Sequence, residues 1–183
     1  MSVRQRSLDS AQAAEAALFD TLATEIYSAV LSDVLDGLGY RDQAMTADIR
    51  PAWDGAIVVG RAHTVLSSDV YHTPDNPYDI EIEAIDTVPV NGVVVAGTNK
   101  STRTCLWGEL LSTATQARGG RGVVLDGHTR DVRKIEAMGF PVFSTGMRPV
   151  DSKGRGAIVC ATKQDSGRRT SLRDTKWGFF FPD

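Results

Sequence analysis

The stretch from residue 93 to residue 145 constrains the fold most. Short apolar runs, "VVVAG" (93–97), "GVVLD" (122–126) and "FPVFSTG" (140–146), are separated by two helical patterns. In "GELLSTATQARGG" (108–120), Leu110, Leu111, Ala114 and Ala117 share one helical face and Gly119–Gly120 end it. "RDVRKIEAMG" (130–139) is the second helix. Strand, helix, strand, helix, strand with short connections is α/β alternation, and crossovers of this kind make the strands parallel. The expected architecture is α/β, with a central β-sheet flanked by helices. Ligands of such sheets sit beyond the carboxyl ends of the strands. "TNKSTRTCLWGE" and "DGHTRD" are both strand-to-helix loops, so they should open on the same edge.

Upstream, residues 9–38 read as helical, with Val30, Leu31, Val34, Leu35 and Leu38 at helical spacing and Ser28 or Ser32 as a cap. Residues 56–66 read as a strand and 80–86 as a short helix. After Gly156 the periodicity stops, and 157–183 reads as an atypical tail. With 183 residues, 42% hydrophobic and 23% charged, the chain suits one domain, 1–183. A net charge of −3 argues against a nucleic-acid partner recognised through a basic footprint. No run approaches the roughly 18 apolar residues of a membrane span, and no secretory leader is evident. Cys105 and Cys160 are too few for a disulfide framework. The expected compartment is the cytoplasm.

Residues 110–129, twenty positions, separate Glu109 from Arg130 and Asp131. One helix plus one strand fills that gap and returns the chain to the same edge. A helix N-terminus presents unpaired amides, so Gly108, Glu109, Leu110 and Leu111 form a cradle for a carboxylate. Arg130 supplies a fork for a carboxylate or oxo group. Asp131 supplies a hard oxygen of the kind Mg²⁺ or Mn²⁺ takes, with waters and substrate completing the shell. Together these suit a 2-oxo acid and its enolate. The plainer reading makes Asp131 and Glu109 dipole-stabilising residues of a first helical turn. Asp126 and His128 fall to structural roles, Cys105 to a buried hydrophobe, and His63 and His72 lack zinc-ligand spacing.

"CLWGELLSTATQARGGRGVVLDGHTRDVRKIEAMGFPVFSTG", with "LSDVLDGLGY", "AIDTVPVNGVVVAGT" and "RPVDSKGRG", resembles the RraA-like family over residues 28–156. This family includes the class II 4-hydroxy-4-methyl-2-oxoglutarate / 4-carboxy-4-hydroxy-2-oxoadipate aldolases. The resemblance implies an RraA-type swivelling-domain α/β sandwich, assembled as a homotrimer or hexamer. It implies metal-dependent aldol cleavage releasing pyruvate, with oxaloacetate decarboxylase activity beside it and Mg²⁺, Mn²⁺ or another divalent metal as cofactor. By motif, Asp131 would hold the metal, Arg130 the pyruvyl group and the enolate, and the Gly108–Leu111 amides the carboxylate. Glu109 stands where an Asp is usual, and Lys134 where some members carry an acid. The resemblance equally admits a non-catalytic regulator that binds an RNA-degrading endonuclease. Contacts for a distal carboxylate are expected from Lys100, Arg103 or a neighbouring subunit.

Overall fold

The computed structural model describes residues 3–73 and 75–161. Most of the tail, 162–183, lies outside the described residues. Helix α1 (Val3–Glu25) is followed by α2 (Ser28–Gly37), so the continuous helix expected over 9–38 is broken. At the break Tyr27 is extended (φ −107°, ψ 161°) and takes the N-cap position without a side-chain cap. Then come β1 (Arg50–Pro51), β2 (Arg61–Asp69), α3 (Asp79–Asp86) and β3 (Gly92–Gly97).

Three repeats of one pattern come next. β3 leads to β4 (Cys105–Trp107) and α4 (Glu109–Ala117). β5 (Gly122–Leu125) leads to β6 (His128–Thr129) and α5 (Val132–Ala137). β7 (Val142–Ser144) leads to β8 (Gly146–Met147), and β9 (Gly156–Ala161) closes the described chain. The main sheet has the order β1-β7-β5-β3-β2-β9. Its four central strands are parallel, as expected, while β1 and β9 add antiparallel edges. β9 pairs along β2, so the first residues of the atypical tail belong to the sheet.

Every residue of β5 and β7 is buried, the continuous apolar pattern of strands covered on both faces. On one face Val94, Ala96, Val123, Leu125 and Val142 pack with Ala84 and Ile85 of α3 and Ile135 of α5. On the other, Val93, Val95, Val124 and Phe143 meet Ile49, Ala56 and Val58. Fully burying one such side chain contributes about 1.5–3 kcal/mol. Gly119 ends α4 in the left-handed region (φ 82°). Its amide bonds Gln116 O and that of Gly120 bonds Thr115 O, the double closure that favours glycine.

The second sheet was not expected. β4, β6 and β8 form a three-stranded parallel sheet in that order. Each comes directly after a main-sheet strand in the chain. All three excursions from β3, β5 and β7 therefore dip into one small sheet beyond the carboxyl ends of those strands.

Candidate active site

The three strands of the small sheet end side by side. β4 ends in Trp107 and passes to Gly108; β6 ends in Thr129 and passes to Arg130; β8 ends in Met147 and passes to Arg148. The Arg130 amide donates to Trp107 O at 3.0 Å, and the Arg148 amide to Thr129 O at 3.1 Å. The backbone ladder therefore fixes the spacing of these positions. Below it, the buried Trp107 indole donates to Ser112 Oγ (2.8 Å), which donates to Gly108 O (2.9 Å). That chain ties the start of α4 to the strand before it.

Asp131 lies outside the helix it was expected to open. It is the N-cap of α5 in the left-handed region (φ 59°, ψ 25°), which Asp tolerates better than most residues, and its side chain does not cap α5. Instead its Oδ2 accepts the Glu109 amide at 3.2 Å and lies 3.7 Å from Arg130 Nε. Gly108 makes this approach possible. A Cβ there would stand 2.8 Å from Asp131 Oδ2 and 3.2 Å from Arg130 Cγ. The two helix starts thus meet across one glycine, on the shared edge that the twenty-residue spacing predicts.

Glu109 Oε2 pairs with Lys134 Nζ at 2.7 Å, and that hydrogen bond raises the ammonium's pKa. Leu111 packs against the core, whereas Leu110 is 79% exposed. Of the first-turn amides, that of Glu109 is engaged by Asp131. Those of Leu110 and Leu111 have no intrahelical acceptor.

A groove of about 360 Å³ runs beside these residues, lined by Thr129, Arg130, Asp131, Arg133, Met147 and Arg148 among others. Three guanidinium groups border it. Lys100 and Arg103, expected as distal contacts, are not among the residues lining the groove, and Arg148, which is, also donates to Thr102 O. Lys100 lies 3.9 Å from Asp48, while Arg103 donates to Val70 O and stacks over Tyr71. Arg133 and Arg148 on the groove were missed by sequence reasoning.

A second missed cluster lies on the far side of Arg130. Its Nη2 pairs with Asp151 Oδ1 at 3.1 Å. Asp151 Oδ2 accepts the Tyr78 hydroxyl (3.4 Å) and the Lys153 amide (3.2 Å). Burial opposes the Asp151 charge, but the Lys153 amide, Arg130, the Ser152 amide and Tyr78 outweigh it and hold its pKa low. The recurrence that found Arg130 could have found this cluster, because "STGMRPVD" is a third strand end one repeat further on.

Glu81 faces the same cluster from α3. Burial first, and Asp151 second, raise its carboxyl to about 7, with Arg130 opposing. Between the ordinary value of 4.5 and 7 the folded protein holds a proton the unfolded chain has released. Stability from this group is therefore full below pH 4.5 and lost as pH rises through 7. Glu81→Gln should melt a few degrees above the parent at alkaline pH and close to it in acid. Thermal melts across that range check this; an equal offset throughout would remove Glu81 as the cause.

The remaining singled-out residues are structural. Asp126 accepts the Thr98 amide and ties β5 to β3. The Cys105 thiol donates to Thr129 O (3.4 Å), and burial pushes its pKa up. His63 is buried against Ala84 O (3.0 Å). The His128 ring is depressed in pKa by burial and by Arg148, and its Nδ1 is buried without a partner.

Comparison with known proteins agrees with this frame. The family described as "RraA-like: Aldolase/RraA" matches residues 28–165. The chain belongs to the RraA-like family. Protein DlpA of Legionella pneumophila is 30% identical over 134 residues, 70% of this chain and 20% of that protein. A Halalkalibacterium halodurans protein, provisionally named a 4-hydroxy-4-methyl-2-oxoglutarate aldolase, is 30% identical over 138 residues, 75% of this chain and 61% of its own length. The chain thus spans less than two thirds of either relative. The crystal structure of Streptomyces coelicolor RraAS2, described as an unusual member of the RNase ES inhibitor RraA protein family, shares the fold. It has a TM-score of 0.66 at 23% identity and covers 79% of this chain and 70% of its own. Among the described residues no helix is long and apolar enough to cross a membrane.

Among the described residues no three His, Cys, Asp or Glu side chains gather as a ligand set. Asp131, a single part-exposed carboxylate, suits Mg²⁺, which keeps several waters and accepts substrate oxygens. Glu109, paired with Lys134, is less free to contribute.

Proposed function

We propose that this RraA-like protein is a divalent-metal-dependent lyase. Its substrates are 2-oxo acids of the 4-hydroxy-4-methyl-2-oxoglutarate type, cleaved to pyruvate, with oxaloacetate decarboxylation as a second activity. The supporting observation is the approach of Arg130–Asp131 to the α4 N-terminus across Gly108. Asp131 would hold the metal, whose Lewis acidity polarises the 2-oxo group. The Leu110 and Leu111 amides receive the adjacent carboxylate at the positive end of α4. In aldol cleavage the C4 hydroxyl passes its proton to water, the C3–C4 bond breaks with its electron pair moving toward the 2-oxo oxygen, and the resulting enolate takes a proton from water at C3 to become pyruvate. Arg130 meets that charge with the N–H groups its carboxylate partners leave open. Loss of CO₂ from oxaloacetate delivers charge to the same oxygen, so one site serves both reactions.

Arg148 and Arg133 border the groove where the rest of the substrate would lie, which favours a second carboxylate. Arg148→Ala should raise KM for 4-hydroxy-4-methyl-2-oxoglutarate by about tenfold, the scale of one charge-assisted hydrogen bond. Inhibition by oxalate, which spans the reacting end alone, should not change. Equal weakening of both would take Arg148 out of substrate selection.

Exposed Val34 (54%) and Leu38 (68%) on and just after α2 support self-association into a homotrimer or hexamer, which light scattering would measure. The deciding experiment tracks pyruvate release from both substrates with Mg²⁺ and then with EDTA. Metal-dependent turnover is expected. Its absence in a folded oligomer would favour the alternative, a non-catalytic regulator that binds an RNA-degrading endonuclease.

A further inference from the structure

The geometry points to Asp151 as the positioning residue of Arg130, which keeps the guanidinium aimed at the substrate when Asp131 turns to a metal. This rests on the lyase reading of the site. The guanidinium lies between two carboxylates. Nε faces Asp131 Oδ2 at 3.7 Å, and Nη2 is held by Asp151 Oδ1 at 3.1 Å. The nearer contact belongs to Asp151. These two pairings occupy one side of the planar group and leave both N–H bonds of Nη1 for a ligand.

A cation on Asp131 would compete with Arg130 for that carboxylate and repel the guanidinium. Without a second anchor, the long side chain would be free to swing into solvent. Asp151 is built to prevent this, because it is itself fixed from several directions. Its Oδ2 takes the Tyr78 hydroxyl at the start of α3 and the Lys153 amide two residues on. Its main-chain carbonyl takes Thr104 Oγ1 at 3.1 Å and an Arg155 guanidinium N–H at 3.2 Å. Elements far apart in sequence thus converge on one carboxylate whose free oxygen points at Arg130. Glu81 lies behind it, its carboxyl raised to about 7 by burial first and the Asp151 charge second.

Asp151→Asn separates positioning from a structural turn. Its amide oxygen still accepts the Lys153 N–H, so the local turn survives. Arg130 loses both the charge and the acceptor that face it, because the amide NH₂ takes the place of Oδ1. The variant should melt within a few degrees of the parent. Its kcat/KM should fall roughly tenfold or more, as should its affinity for oxalate, a planar enolate mimic titrated calorimetrically with Mg²⁺ present. Combined with Arg130→Lys, it should cost little beyond Arg130→Lys alone, because both changes disable one device. A crystal structure of Asp151→Asn should show Arg130 moved off its present line. Parental kinetics and oxalate affinity, additive losses in the double variant, or an unmoved Arg130 would each overturn the proposal. If the unmodified protein shows no turnover, the lyase reading fails by itself, and oxalate affinity and Arg130 placement still decide the role of Asp151.

Discussion

Asp131→Asn is expected to abolish the proposed Mg²⁺-dependent pyruvate release while leaving the protein folded. Asparagine is the informative replacement because the backbone at 131 is left-handed (φ 59°), a conformation that Asn tolerates. Alanine would add backbone strain of about 1 kcal/mol or more to any chemical effect. The amide oxygen of the substituted side chain keeps an acceptor for the Glu109 amide, now 3.2 Å from Asp131 Oδ2. What disappears is the negative charge, and with it the carboxylate proposed to hold the divalent cation. Groups that merely orient metal ligands cost about 10–100-fold when removed, so the loss here should be at least a hundredfold. Pyruvate release at saturating Mg²⁺, paired with a thermal melt, measures both halves. Activity within a few-fold of the parent would remove Asp131 from the metal site. A collapsed melting temperature would instead mean that its tie to α4 is mainly structural.

Gly108→Ala is the second large effect, and it tests placement instead of charge. Gly108 is extended (φ −158°, ψ −170°), so alanine meets no backbone strain there. The obstacle is space. The new methyl would lie 2.8 Å from Asp131 Oδ2 and 3.3 Å from Arg130 Nε, and both side chains must retreat. A displacement of about 1 Å in such a constellation can cost on the order of a hundredfold in rate. Turnover should fall by about that much while stability changes modestly, since the two side chains are part-exposed. Wild-type kcat with the methyl in place would show that the close approach does not matter to chemistry.

What the sequence made legible was the part that repeats. Apolar runs at 93–97 and 122–126 announced β3 and β5, and the twenty-residue interval from Glu109 to Arg130 announced that two helix starts share an edge. Strands of two or three residues carry too little pattern to be seen. β4 was read as the end of a polar loop, and β6 and β8 passed unnoticed. Asp131 looked like a first-turn residue because nothing in "TRDVRK" reports a backbone angle. The Tyr27 break was hidden for a related reason: no glycine or proline marks it. Asp151 and Arg148 stood in a stretch of mixed charge, "MRPVDSKGR", where only the third recurrence of a strand end gives them meaning.

The small sheet has a consequence for how such a protein diversifies. Each of its strands hands over one short cassette: Gly108–Glu109 from β4, Arg130–Asp131 from β6, Arg148 from β8. Arg130 and Arg148 are each pinned to the neighbouring strand by a backbone hydrogen bond, which no substitution other than proline removes. The backbone of the third cassette thus keeps its place whatever side chain it carries, and the Arg148 side chain adds one further tie, to Thr102 O ahead of β4. Under the proposed function, selection acting on position 148 alone would trade one acid for another while Arg130 and Asp131 keep their places.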